Sequence, residues 1–263
     1  MYAEASKPEL WYPDKIDLHI PSNREQLALQ KTNPFVCESI GAFHSFIRDK
    51  LHRWNDCSDM HTHLLSLDGL SGSGKSTLSQ DILTTVKHIP GVSLYPVPVD
   101  AFIATARGSP LRSLMLESRE LFWKLIYDRQ SMIEVLKNIV GANGEGCSIP
   151  VSHHYNRSDG SVGPATVHVP AGKKVVMVDG IDSTRILQTL EEISPCPQTR
   201  IMVITPPHIA LQRAAERDAA QGRRNTKEAL MIRTKEFQYL LPQITQQNMR
   251  NVDVMYFPNR VQA

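Results

Sequence analysis

The stretch Gly69-Leu70-Ser71-Gly72-Ser73-Gly74-Lys75-Ser76 constrains this chain more than any other. It fits the pattern G-x-x-x-x-G-K-[ST] and lies between a short apolar run at 63–68 (HLLSLD) and a segment in which Leu78, Ile82 and Val86 recur every four residues. Strand, glycine-rich loop and helix in that order make an anion cradle. Glycines let the loop take conformations closed to other residues, so successive backbone N–H groups converge on phosphate oxygens at the helix N-terminus. The loop residues Gly69, Ser71, Gly72, Ser73 and Gly74, with Thr77 just beyond, are therefore read as nucleotide-binding. Lys75 would set a point charge on the β and γ phosphates, and the Ser76 hydroxyl would ligate Mg²⁺.

The rest of the chain alternates in the way such a loop requires. Further strands are predicted at 94–100, 174–179, 200–205 and 252–257, with 162–169 as an arm of a hairpin. Helical periodicity covers 111–140, in two pieces around Asp128, and then 209–221 and 226–247. Strands alternating with helices imply a parallel sheet, so the expectation is an α/β domain over 63–263 with a five-stranded parallel sheet flanked by helices. Pro96 and Pro98 put the 94–100 strand at a periphery, because proline cannot donate to a central ladder. Residues 1–62 read as an N-terminal extension, partly helical. Pro8, Pro13, Pro21 and Pro34 punctuate its start, a short helix is predicted near 23–30, and Val36, Ile40, Phe43, Ile47 and Leu51 form an amphipathic stripe over 36–54.

Composition narrows the partners. Lys and Arg number 29 against 27 Asp and Glu, a formal charge of +2 over 263 residues, so no single-sign field points to nucleic acid or an anionic membrane. The longest strongly apolar runs, such as 175–178, fall far short of the roughly 18 residues a spanning helix needs. Glu4, Lys7, Pro8, Glu9 and Asp14 interrupt any signal-peptide core. The four cysteines, at 37, 57, 147 and 196, show no C-x-x-C pair and fit free thiols in a reducing, cytoplasmic setting. Cys57, His61 and His63 lack a fourth partner at metal spacing.

A phosphate loop alone does not separate a motor, a GTPase and a kinase; residues at the other strand ends must. Ligands of open α/β sheets bind beyond the carboxyl ends of the strands, and Asp100 and Asp179 each close a predicted strand there. One carboxylate is needed to hold Mg²⁺ and another can accept the proton of an attacking hydroxyl. Arg213 and Arg217, four apart on a predicted helix, share a face from which they could neutralise charge on a transferring phosphoryl group.

In these residues the chain resembles the uridine kinase and phosphoribulokinase branch of the P-loop kinases, over about residues 63–258. GLSGSGKST (69–77) is similar to that family's phosphate loop, and Asp100 with Phe102 in VDAF stands where its catalytic aspartate motif stands. VVMVDGI (175–181) resembles its acidic strand end. LQRAAERDAAQGRRN (211–225) matches its lid helix at Leu211, Arg213, Arg217, Asp218 and Arg224. The resemblance implies transfer of the γ-phosphoryl group of ATP, with Mg²⁺, to a hydroxyl. It makes Asp100 the base, Ser76 and Asp179 the metal ligands, and Arg213, Arg217 and Arg224 residues of a mobile lid over about 206–225.

Departures from the family pattern concern the acceptor. Asp-x-Phe-Tyr reads Asp100-Ala101-Phe102-Ile103 here, and the Tyr-Asp expected after Ile149-Pro150-Val151 is Ser152-His153. His153, His154, Tyr155 and Arg157 are read as lining a different acceptor pocket, with stacking surfaces and hydrogen bonds. Arg107, Arg112 and Arg119 add positive charge that could meet an acid or phosphate. The leading expectation is a kinase of a small, nucleoside-like molecule. Two alternatives stay open at this point: a kinase of hydroxymethylated pyrimidine in DNA, and a slowly hydrolysing NTP-binding regulatory module. A homo-oligomer is left open.

Overall fold

The computed structural model describes residues 34–258, apart from 58, 223–225 and 247. The short helix predicted at 23–30 and the lid arginine Arg224 lie outside the described residues. In chain order the first half comprises β1 (Phe35–Cys37), α1 (Ile40–Asn55), β2 (Thr62–Asp68), α2 (Lys75–Lys87), β3 (Val92–Pro98), a 3-10 turn (Val99–Phe102), α3 (Pro110–Leu114), α4 (Arg119–Leu125) and α5 (Arg129–Gly141). The second half comprises β4 (Cys147–Tyr155), β5 (Val162–Val169), β6 (Lys173–Asp179), α6 (Ser183–Ile193), β7 (Gln198–Val203), α7 (Pro207–Ala220), α8 (Thr226–Gln246), a 3-10 turn (Asn248–Asn251) and β8 (Val254–Tyr256).

Six strands form the main sheet, in the order β1-β8-β7-β2-β6-β3 and parallel throughout. The strand missing from the five-stranded expectation is β1, whose register pairs Phe35 with Val254. Three residues are too short for a period-two signal, so only the pairing reveals it. Residues 35–55, counted by sequence with the N-terminal extension, are thus built into the sheet and its cover.

Side chains of successive strand residues point to opposite faces, and the sheet divides its apolar residues accordingly. Leu65 and Leu67 of β2, Val175 and Met177 of β6 and Ile201 and Val203 of β7 enter one core layer with Phe43, Ile47 and Leu51 of α1 and Leu78, Ile82 and Val86 of α2. Leu64, Val176, Val178 and Met202 enter the other, beneath α5, α6, α7 and α8. β3 lies at the opposite edge from β1, which places Pro96 and Pro98 where only one ladder must be satisfied. Among the described residues no helix is long and apolar enough to cross a membrane.

A second, two-stranded antiparallel sheet of β4 and β5 stands apart as an arm. Its ladder slips between the pairs Val151–Ala165 and His154–Gly163, leaving Ser152 and His153 opposite Pro164. Pro164 has no N–H to give, and a bulge at that point re-aims the residues that follow. The segment where the sequence departs from the pattern of the family it resembles is therefore also irregular in backbone.

Candidate active site

At the carboxyl ends of β2, β3 and β6 a cleft of about 510 Å³ opens. Its floor is the loop before α2, through Ser71, Gly72, Gly74, Lys75, Ser76 and Thr77. Asp100, from the 3-10 turn after β3, and Asp179, the last residue of β6, line it as well. Arg213 and Arg217 of α7 line it too, so their four-residue spacing does present both to one site. Gly74 precedes α2 with φ 101°, in the left-handed region, which turns the chain into the helix without a side-chain cap. Gly72 is required for a second reason: a Cβ there would lie 2.1 Å from the Ala210 carbonyl oxygen of α7. α7 sits directly on the loop, and Thr205 Oγ1 donates to the Ser73 carbonyl at 2.8 Å from the segment leading into it.

Lys75 Nζ donates to the carbonyls of Gly69 (2.8 Å) and Leu70 (2.9 Å), so its ammonium spans the loop. Burial lowers its pKa, while the nearby carboxylates Asp179, Asp68 and Asp100 oppose that shift. Burial raises the pKa of Asp179, opposed by Lys75. A carboxylate short of solvent that shares its cleft with a hydroxyl such as that of Ser76 is a donor set that a hard, oxygen-loving cation would relieve, so the residues present fit Mg²⁺. Arg217 Nη2 donates to Ser71 Oγ at 3.1 Å and ties α7 to the loop. Asp218, buried on the same helix, accepts from Arg233 of α8 at 3.0 and 3.3 Å, anchoring α7 from behind.

Behind the loop lies a polar network that sequence reading did not single out. Asp68, the buried last residue of β2, accepts from Gly69 N (2.7 Å), Asp182 N (3.0 Å), Thr184 N (3.1 Å) and Asn248 Nδ2 (3.0 Å). It joins the first residue of the phosphate loop to the turn after Asp179 and to the carboxyl-terminal 3-10 turn. Asp182 is buried and carries φ 74°, unusual for a side chain other than glycine. Its carboxylate accepts from Arg129 Nε at 2.9 Å. Burial and then the charge of Asp182 push the Asp68 pKa up to about 6, against the N–H groups of Thr184 and Gly69. The available signal was an acid closing an otherwise apolar strand immediately before the glycine loop.

The acceptor candidates divide. Arg157 enters the phosphate cleft and sets its guanidinium 3.2 Å from Asp100. Both side chains are substantially exposed, so such a pair contributes at most about 1 kcal/mol. Tyr155 and His154 line a second opening of about 500 Å³ between the arm and the edge of the sheet, which shares Pro98 and Arg157 with the first. Phe102 does not reach either opening; it is buried in the core. His153 lies 4.0 Å from Asp128 and is also outside both. Arg107 donates to the Arg157 carbonyl (3.0 Å) and reaches Tyr155 Oη (3.5 Å), so it braces the arm. Arg112 reaches Thr105 Oγ1 at 3.5 Å, and Arg119 is exposed at the start of α4. Gly69 and Ser73 lie beneath the loop rather than on its open face: Gly69 N donates to Asp68, and Ser73 is buried.

No protein-family model matches the chain, and no curated protein matches it. Solved structures do. A proposed fructose transport system kinase from Silicibacter sp. TM1040 aligns with a TM-score of 0.54 at 20% identity, covering 81% of this chain and 98% of that one. A Saccharomyces cerevisiae protein, proposed to be a P-loop kinase with a circular permutation, gives 0.54 at 11% identity over 83% of this chain and 98% of that one. D-glycerate 3-kinase from Cryptococcus neoformans var. grubii gives 0.51 at 13% identity over 82% and 94%. Likeness at such identities is one of fold, and it agrees with the loop, the sheet order and the cleft: the chain has the fold of the P-loop kinases.

Proposed function

We propose that this protein is a phosphotransferase that moves the γ-phosphoryl group of ATP, with Mg²⁺, to a hydroxyl of a small, nucleoside-like molecule. The observation that carries the reading is the single cleft in which the glycine loop, Lys75, two strand-end carboxylates and two arginines of one helix converge. A regulatory NTP-binding module needs the loop alone; a second carboxylate facing the phosphates is what proton removal from an acceptor requires. In this reading the loop N–H groups and Lys75 hold the β and γ phosphates. Ser76 and Asp179 would hold Mg²⁺, which when bound would neutralise charge on the phosphate oxygens. Asp100 orients the acceptor hydroxyl and takes its proton as the acceptor oxygen bonds to the γ phosphorus and the bond to the β–γ bridging oxygen breaks, leaving ADP. Arg213 and Arg217 stabilise the charge that develops in transfer. The four unpaired cysteines suit a cytoplasmic setting. The test is ADP formation dependent on a hydroxyl acceptor: the expected result is turnover that Asp100→Asn abolishes while ATP binding persists. Near-normal transfer by that variant would remove Asp100 from its role.

A further inference from the structure

Arg157 belongs to both openings. It sits at the turn of the arm, lines the phosphate cleft and the arm cleft, and pairs with the carboxylate assigned as the base. The turn is held in shape rather than left to wander. Asn156 N donates to the Ser161 carbonyl at 2.9 Å, Gly160 N to the Asn156 carbonyl at 2.8 Å, and Arg107 N to the Gly160 carbonyl at 2.8 Å. The guanidinium of Arg107 then clamps the Arg157 carbonyl. The backbone of Arg157 is thereby fixed, while its side chain stays 58% exposed and free to change partners. Among the described residues no carboxylate lines the arm cleft, whose walls include Pro98, Ala101, His154 and Tyr155. An anion entering there meets the guanidinium of Arg157, whose partner carboxylate, Asp100, lines the other cleft. The partner it must displace is a solvent-exposed carboxylate, a weak competitor.

We propose that the acceptor carries an anionic group, a carboxylate or a phosphate, and that Arg157 takes this group from within the arm cleft while releasing Asp100 for the acceptor hydroxyl. The inference rests on the phosphotransferase reading. Without an anionic acceptor, Arg157 caps Asp100; with one, a bidentate guanidinium–anion contact replaces the cap and the base becomes available at the moment the acceptor is seated. Arg157 would thus select the acceptor and guard against transfer to water.

The test compares matched pairs with ATP and Mg²⁺ on the full chain: D-glycerate with glycerol, D-gluconate with D-glucitol, orotidine with uridine, and ribose 5-phosphate with ribose. Wild type is expected to phosphorylate at least one anionic member in preference to its neutral partner. Arg157→Ala should raise the KM for that compound about 30-fold, the scale of a lost charge-assisted contact, with kcat changed far less. Arg157→Lys should recover part of the KM, and neutral members should be used by Arg157→Ala at least as well as by wild type. The carboxylate and phosphate pairs identify which anion is preferred. Transfer confined to neutral members, or an anionic KM that Arg157→Ala leaves unmoved, overturns the inference and leaves the phosphotransferase reading standing. No transfer to any compound overturns both. Arg157 is an exposed residue of the arm turn, and an unchanged Tm of Arg157→Ala verifies that the variant folds.

Discussion

The phosphate cleft and the arm cleft share a wall but are built by different rules. The phosphate end is made by contiguous sequence: residues 69–77 supply loop, lysine and hydroxyl in one pass, and α7 closes on them because Gly72 has no side chain. The arm cleft, proposed to take the acceptor, is assembled from distant pieces, with Pro98 at the end of the edge strand and Ala101 of the 3-10 turn set against His154, Tyr155 and Arg157 from an arm that pairs only with itself. Triphosphate chemistry is the same for every acceptor and tolerates a rigid local solution. Acceptor choice must vary, and a two-stranded arm with a bulge can be altered without disturbing the sheet.

That separation can be broken in four ways, in order of expected effect. Asp100 stands where the two halves meet, and Asp100→Asn should lower kcat about 10³-fold with ATP affinity intact by calorimetry. Gly72→Ala strikes the phosphate end through its backbone. A φ of +82° and a Cβ 2.1 Å from the Ala210 oxygen should cost about 3 kcal/mol, read as a Tm fall of about 10 °C with weakened ATP binding.

Asp68 tests whether the network behind the loop belongs to the phosphate half. Its carboxyl titrates at about 6 in the fold against an ordinary 3.8, so the fold prefers the protonated form. Stability from this group is full below the lower value and is lost as pH rises through the upper one, by up to about 3 kcal/mol. Denaturation at pH 4 and pH 7 should show wild type losing stability relative to Asp68→Asn as pH rises; a pH-independent difference would remove the linkage. The smallest effect should come from Gly160→Ala, where φ is +78° and a Cβ would lie 2.4 Å from Arg107 Cβ. A cost of about 1–2 kcal/mol is expected, with acceptor KM raised and ATP affinity unchanged. Equal damage to both would show that the two clefts do not act separately.

Legibility in the sequence follows the same division. The central strand, its loop and α2 could be read because apolar run, glycines and four-residue periodicity are all local. Asp100 and Asp179 could be read because strand ends carry the chemistry in open α/β sheets. Phe102 had a motif position but not a site position: its ring faces the core, and the motif carries no information about which way a 3-10 turn rotates its side chains. Asp68 stood in plain view beside the glycine loop, yet its four donors come from segments more than a hundred residues away, apart from Gly69 N.

By itself the sequence determined the glycine-loop end of this protein's cleft. A phosphate loop is a backbone structure, and the order of glycines, lysine and serine nearly specifies it. Tertiary structure alone decided that residues 35–37 complete a six-stranded sheet, that Arg107 braces the arm, and that Arg157 reaches across to Asp100. These are pairings between elements, and no local pattern encodes them, because what fixes each is the place where two separately folded segments meet.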